Sequence, residues 1–328
     1  MVCFAPMEGI TGYIFRNTYN SFFEGIDTFY TPFIPTSQKD KLPAKYKRDI
    51  APENNAGISL IPQLLSKDPV RTAHTAVKIC SGYGYGEIDL NCGCPSGTVT
   101  ANGRGAAMLS DPDSLDAFFE TLFMELDRIS AEGVKVPDIS VKTRIGMSFV
   151  SEAEDIIKIY NRYPISTLII HPRLKDEYYG GNVHMDIFSQ MYEESIHPVI
   201  YNGDINRAED YNRIVRDYPD LKAVMIGRGL LKDPALAERI KGIRRKEDYS
   251  HRLKEYIRAL CDGYYQVYRD ERNTLFKMKE MWSFLADNTK DPEKTLRSIR
   301  RADSLGEYKA TVNRIFEFEI FSVNMGIL

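Results

Sequence analysis

Eight short apolar runs recur before residue 230, and stretches of helical periodicity separate most of them. They are Val2–Met7, Thr28–Phe33, Ile58–Leu65, Glu87–Cys92, Ile139–Thr143, Thr167–His171, Pro198–Asn202 and Ala223–Ile226. Most are apolar at nearly every position, as strands covered on both faces of a parallel sheet must be. Between them, Pro69–Ser81, Asp113–Glu132, Glu152–Tyr163, Met185–Glu194 and Arg207–Tyr218 place apolar residues three and four apart. Asp111-Pro112 and Asp233-Pro234 read as helix starts, because Asp accepts the first orphan N–H groups and Pro presets φ. Strand and helix alternating eight times predict an α/β fold, a (β/α)8 TIM barrel.

Two segments break the alternation. Thr36 to Gly57 is rich in Pro, Lys and Asn and is expected to form a long loop over the catalytic mouth, with a short helix near Leu42–Tyr46. After Gly242 the strands stop. Arg244–Asp248 reads as a polar hinge, and Tyr249–Tyr268, Thr274–Ala286, Pro292–Ala302 and Leu305–Phe321 read as helices. We therefore expect a catalytic barrel over residues 1–242 and an appended all-α helical bundle over 243–328. From Ile243 on there are 17 Lys and Arg against 14 Asp and Glu, whereas the rest has 26 against 32. A tail more basic than its body suits an acidic partner such as nucleic acid, although ordinary solvated helix faces have the same composition.

The five cysteines are odd in number and follow no leader, so a disulfide framework is not expected. Cys92 and Cys94 lack a second Cys/His pair at ligand spacing, and no metal is expected. No apolar run approaches the roughly 20 residues that span a bilayer. The chain reads as cytoplasmic, without a membrane partner, and as a monomer.

Polar residues gather where the predicted strands end, the face on which such barrels build sites. The first strand ends Pro6-Met7-Glu8-Gly9, and the third carries Gln63. Asn91 closes the fourth, followed by Cys92-Gly93-Cys94-Pro95. Lys142 lies on the fifth strand, and the sixth carries His171 with Arg173. The seventh ends Asn202-Gly203-Asp204 and the eighth Gly227-Arg228-Gly229. Cys94, in a turn, can be a nucleophile or a proton donor; the place also suits a thiol packed in a tight turn. Lys142 can form a Schiff base, neutralise an anion growing on a ring cofactor, or reach solvent from a strand end. His171 can donate to a phosphate or serve structurally. The glycine turns after the last two strands suit an anion, with a helix from about Leu230–Pro234 pointing its positive end at it.

Taken in order, these motifs resemble the tRNA-dihydrouridine synthase (Dus) family of flavin enzymes. The resemblance runs from Ala5 to Leu231 and is carried by Ala5-Pro6-Met7-Glu8-Gly9, Leu90-Asn91-Cys92-Gly93-Cys94-Pro95, Gly103-Arg104-Gly105-Ala106-Ala107-Met108-Leu109, Val141-Lys142-Thr143-Arg144 and Met225-Ile226-Gly227-Arg228-Gly229. It implies FMN at the barrel mouth, with Pro6, Met7 and Glu8 lining the flavin and Gln63 and Lys142 bonding its ring. His171, Asn202, Gly203, Asp204, Gly227 and Arg228 would hold the ribityl chain and phosphate. NADPH would reduce the flavin, a hydride would pass to C6 of a tRNA uridine, and Cys94 would protonate C5. Asn91 and Arg173 would hold the uracil, and the C-terminal helices would grip the tRNA. Glu8 replaces the small residue of many members. With Cys92 and Pro95–Val99 it is most similar to the bacterial subgroup acting on uridine 16. Pro172 stands where Gly is usual. Two other readings fit less well: a barrel flavoenzyme acting on a free pyrimidine, like dihydroorotate dehydrogenase, needs no helical tail, and an inactive tRNA-binding regulator needs no intact Cys94, Lys142 and Asn91.

Overall fold

A computed structural model describes residues 1–37 and 42–318. Of the expected long loop, residues 38–41 lie outside the described residues, as does the end of the last expected helix, 319–321. Ten strands, all parallel, make one sheet. They are β1 (Val2–Phe4), β2 (Thr28–Tyr30), β3 (Ile34–Pro35), β4 (Leu60–Ile61), β5 (Gln63–Leu65), β6 (Glu87–Cys92), β7 (Asp138–Gly146), β8 (Thr167–Leu174), β9 (Val199–Tyr201) and β10 (Ala223–Ile226).

The order β3-β5-β6-β7-β8-β9-β10-β1-β2-β4 closes on itself. β2 with β3, and β4 with β5, are each one barrel strand in two pieces; Pro62, without an N–H to give, separates the latter pair. β2 pairs with β4 and β3 with β5, so the two ends of the order are neighbours. The Thr31 hydroxyl spans the break by accepting from the Gln63 N–H at 2.9 Å. The eight predicted strands are thus all present, and the TIM-barrel expectation holds.

Three local expectations change. β7 and β8 run past Thr143 and His171, because their pairing continues to Gly146 and Leu174 across a bulge at Arg144. That extension puts Arg144 and Arg173 on strands. In the Thr36–Gly57 segment the short helix expected near Leu42–Tyr46 is shifted along the chain to Ala44–Ile50, and a 3-10 turn follows at Pro52–Asn54.

The chain forms two compact units. The first is Met1–Pro6, Asp27–Asp204 and Val215–Ile226, and it contains every strand. The second gathers the chain from Gly227 with Met7–Ile26 and Ile205–Ile214. Within it, the helix Tyr13–Phe22 packs on Tyr249–Tyr268. Tyr19, Phe22 and Phe23 surround the Tyr256 ring at centroid distances of 5.3–6.4 Å. Gly263 makes room there, since a Cβ would lie 3.1 Å from Ile14. No described helix is long and apolar enough to cross a membrane.

Candidate active site

The period-two alternation of β6 sorts its side chains. Cys92 is fully buried and donates to Met108 Sδ at 3.9 Å. Asp89 and Asn91 point the other way and meet Gln63 of β5. Gln63 Nε2 donates to Asp89 Oδ2 at 2.6 Å, and Asn91 Nδ2 donates to Gln63 Oε1 at 2.8 Å. Asn91 Oδ1 then accepts from the backbone N–H groups of Gly93 (3.1 Å) and Cys94 (2.9 Å). A side chain at the strand end thereby fixes the turn that carries the half-buried Cys94.

The glycine-rich segment downstream braces the same turn. Ala106 N donates to the Cys94 carbonyl at 3.0 Å. Gly105 has φ +61°, and a Cβ there would sit 2.8 Å from that carbonyl and 3.1 Å from Cys94 Cβ. Only glycine satisfies both the left-handed backbone and the close approach.

Lys142 is the register partner of Asn91 across β6 and β7. Its ammonium has no hydrogen-bond acceptor among the described residues, while the Asp89 carboxyl and the Cys94 thiol are its electrostatic neighbours. Burial lowers the amine's pKa, aided by the nearby Arg144 charge, and burial raises that of Asp89 against the pull of its hydrogen bonds and of Lys142.

Arg144, two residues along β7, is the functional-site residue that sequence reasoning left without a role. It is buried, and its Nε, Nη1 and Nη2 donate to the carbonyls of Gly93 (2.8 Å), Leu174 (2.7 Å) and Tyr178 (2.6 Å). It therefore ties the Cys94 turn to the loop after β8, and holds Tyr178 at φ +53°, a backbone that a bulky residue rarely adopts. The Tyr179 ring lies 5.5 Å from its guanidinium and 6.4 Å from the His171 ring. A charged residue late in an apolar strand was the available signal.

Arg173 uses all five guanidinium hydrogens within the chain. Nε donates to Gly180 O (3.0 Å), Nη1 to His171 Nε2 (3.2 Å) and Asp204 Oδ1 (3.1 Å), and Nη2 to Gly181 O (2.7 Å) and Asp204 Oδ2 (2.5 Å). A donor facing His171 Nε2 leaves the imidazole proton on Nδ1. Asp204 sits at φ +29°, held there by the ion pair. Asn202 ties β9 to β10 through Nδ2 to Met225 O at 2.8 Å.

The structure thus brings Gln63, Asn91, Cys94, Lys142, His171, Arg173, Asn202, Gly203 and Asp204 into the barrel unit, together with Pro6. Met7, Glu8, Gly227 and Arg228 fall in the second unit. Two expected phosphate glycines have a packing reason for lacking a side chain. A Cβ on Gly203 would meet Tyr201 OH at 2.7 Å, and one on Gly229 the Ile205 carbonyl at 2.0 Å. The helix after β10 starts at Arg228 and spans only Arg228–Lys232. Among the described residues no group of His, Cys, Asp and Glu could hold a metal ion.

Burial separates the thiols. It pushes Cys92 far above the ordinary thiol range, Cys3 to about 12 and Cys261 to about 11, while Cys80 is buried as well. Iodoacetamide near pH ~8, where thiolate forms, is expected to label Cys94 and spare the other four in folded protein, read by peptide mass spectrometry. Labelling of Cys92 ahead of Cys94 would contradict this ordering.

Comparison with known proteins agrees with the geometry. The family model described as dihydrouridine synthase (Dus) matches residues 3–316. The tRNA-dihydrouridine(16) synthase of Aquipseudomonas alcaligenes is 32% identical over 254 residues, 75% of this chain and 77% of that protein. That of Pseudomonas putida is 32% identical over 254 residues, 76% of this chain and 75% of its own length. Among solved structures, histamine dehydrogenase from Rhizobium sp. 4-9 superposes with a TM-score of 0.55 at 13% identity, covering 79% of this chain and 48% of that one. The old yellow enzyme from Trypanosoma cruzi gives 0.52 at 10% identity, covering 80% and 93%. At such identities these two likenesses speak to the barrel fold alone.

Proposed function

The chain belongs to the dihydrouridine synthase family, and from that premise we propose that it reduces the C5–C6 double bond of a tRNA uridine to 5,6-dihydrouridine. In this reading FMN is the cofactor and NADPH the reductant, and the enzyme works in the cytoplasm as a monomer that needs no metal. The relatives' names favour uridine 16 as the target. FMN, when bound, supplies the hydride. The observation that carries the reading is Lys142, a cation beside the Cys94 turn with no acceptor of its own among the described residues. The donor set fits a flavin ring: the Lys142 ammonium and the second hydrogen of Gln63 Nε2 both lack partners among the described residues.

The chain's own residues then divide the work. Lys142 holds negative charge near the cofactor ring, where fixed charge in a dry site acts strongly. Gln63 offers its remaining hydrogen to the ring. Asn91 faces the uracil with the second hydrogen of Nδ2 while its carbonyl oxygen holds the turn. Cys94 gives its proton to C5, because hydride addition at C6 leaves an enolate that needs an acid within reach. Arg173, with its donors spent on His171, Asp204 and the Gly180–Gly181 carbonyls, shapes the wall next to the uracil. His171, Asn202, Gly203 and Asp204 serve the ribityl chain and phosphate. The match of the family motifs alone assigns Pro6, Met7 and Glu8 to the flavin and Gly227 and Arg228 to the phosphate. The target base leaves its stack to reach the site.

Purified protein reconstituted with FMN is expected to be yellow. Lys142→Ala is expected to weaken binding of the reduced flavin more than of the oxidised form. Folded protein that stays colourless in excess FMN overturns the reading; equal loss for both redox forms would make Lys142 a simple contact.

The helical region 243–328 is proposed to hold the tRNA. Arg297, Arg300 and Arg301 are exposed at helical spacing on Pro292–Arg301, and Lys279 Nζ reaches the Arg300 carbonyl at 2.9 Å. Lys277 is more committed, donating to Gly9 O (2.6 Å) and Glu280 (3.0 Å). Neutralising the three arginines together is expected to weaken tRNA binding and flatten its salt dependence by about 0.7–0.9 log units of slope per lost phosphate contact. The flavin spectrum should not change. An unchanged salt slope would place the RNA contacts elsewhere.

A further inference from the structure

Asp89 is the one fully buried carboxylate on β6, and the chemistry above gives it no task. It lies two residues before Asn91 on the same face of the strand, inside the barrel unit. Its Oδ2 accepts from Gln63 Nε2 at 2.6 Å and its Oδ1 from the Ser140 hydroxyl at 3.2 Å.

We propose that Asp89 is a positioning residue for Cys94, acting through an amide relay that runs from Asp89 to Gln63 to Asn91 to the Gly93 and Cys94 N–H groups. The inference rests on the reading of Cys94 as the proton donor.

The argument is one of donor and acceptor direction. A carboxamide has two ends of similar shape and opposite hydrogen-bonding character. Asp89 Oδ2 demands a donor, so Gln63 turns its NH2 toward it and its carbonyl toward Asn91. Asn91 must answer with its own NH2, at 2.8 Å. Its carbonyl oxygen is then aimed at the turn, where it receives two backbone hydrogens. Without an acceptor at position 89, the Gln63 NH2 is left in a dry site with a buried hydrogen unsatisfied. It gains by flipping or moving, and either shift withdraws the acceptor that holds Asn91. Protonation of Asp89 does not break the relay. A proton on the carboxyl has its own place on Oδ1, beside the Ser140 hydroxyl, which can accept it. Oδ2 remains an acceptor in both states.

The relay is tested by Cys94 alkylation in full-length protein, without tRNA and with the flavin removed, followed by peptide mass spectrometry. Asp89→Ala is expected to speed labelling of Cys94 about 2–10-fold, the change in open population that one hydrogen bond holds back. Asp89→Leu, which keeps the volume, guards against collapse at the site and should behave the same way. Asp89→Asn still offers its carbonyl to Gln63 and its NH2 to Ser140, so Cys94 should label within about 2-fold of the wild-type rate. That rescue is the result a merely structural carboxylate would not produce. Equal or slower labelling in the Ala and Leu variants overturns the proposal. An Asn variant that behaves like Ala also overturns it, because the charge on Asp89 would then be what matters. If Cys94 were not the proton donor, this labelling pattern would persist while Cys94→Ala kept its turnover, so the two failures are distinguishable.

Discussion

Cys94→Ala is expected to lower uridine reduction about 10²–10⁴-fold, the range that a lost general acid costs. FMN binding and NADPH oxidation should continue, since neither needs a proton from the Cys94 turn. The structure sharpens the control. Cys92 lies two residues away but is fully buried against Met108, and burial holds its thiol protonated and unreactive. Cys92→Ala removes a packed sulfur and should lower stability slightly with little change in turnover. Single-turnover mixing of reduced enzyme with tRNA reads the uridine step by itself. A Cys92→Ala protein that is inactive beside a nearly normal Cys94→Ala protein would reverse the assignment.

Arg252→Ala is expected to destabilise the protein by about 3–5 kcal/mol, the cost of leaving one member of a buried ion pair behind. Arg252 Nη1 and Nη2 donate to Glu238 Oε1 and Oε2 at 3.0 and 2.6 Å, and both side chains are buried. The guanidinium also lies 4.7 Å from the centre of the Phe23 ring, so truncation loses packing as well as charge. The pair joins three distant stretches of sequence within the second unit, since Glu238 Oε1 also accepts from the Glu24 N–H at 3.1 Å. Replacing both partners, as Arg252→Met with Glu238→Leu, should recover most of the loss, because no charge then remains buried. Urea denaturation followed by helix signal measures both. A loss under about 1 kcal/mol for the single variant would mean that Arg245, whose Nε is 3.5 Å from Glu238, compensates the charge.

Much of this protein was legible before any coordinates. Near-continuous apolar runs and the Gly and Pro that stop them depend on a residue and its neighbours, so all eight barrel strands could be read from the chain. The same local grammar put Asn91 at a strand end, Cys94 in the turn after it, and Lys142 within an apolar strand. The last strand ends at Ile226, and the helices expected in the tail are present from Tyr249 on. What could not be read locally was what each polar group touches. Asp89 meets Gln63 across 26 residues of sequence, and Arg144 meets Gly93 across 51. Those meetings depend on strand register, which the closed barrel sets as a whole. No local pattern announced that Arg173 donates to Asp204 and to two glycine carbonyls. The glycine turn did not announce the Ile205 carbonyl, 2.0 Å from where a Cβ on Gly229 would lie. The helix Tyr13–Phe22 was not singled out in the sequence, and its aromatic face is buried against Tyr256. Periodicity tells a segment which face to bury, because that depends only on its own side chains. Which surface covers that face is decided by every other segment competing for it, and only the folded chain holds the result.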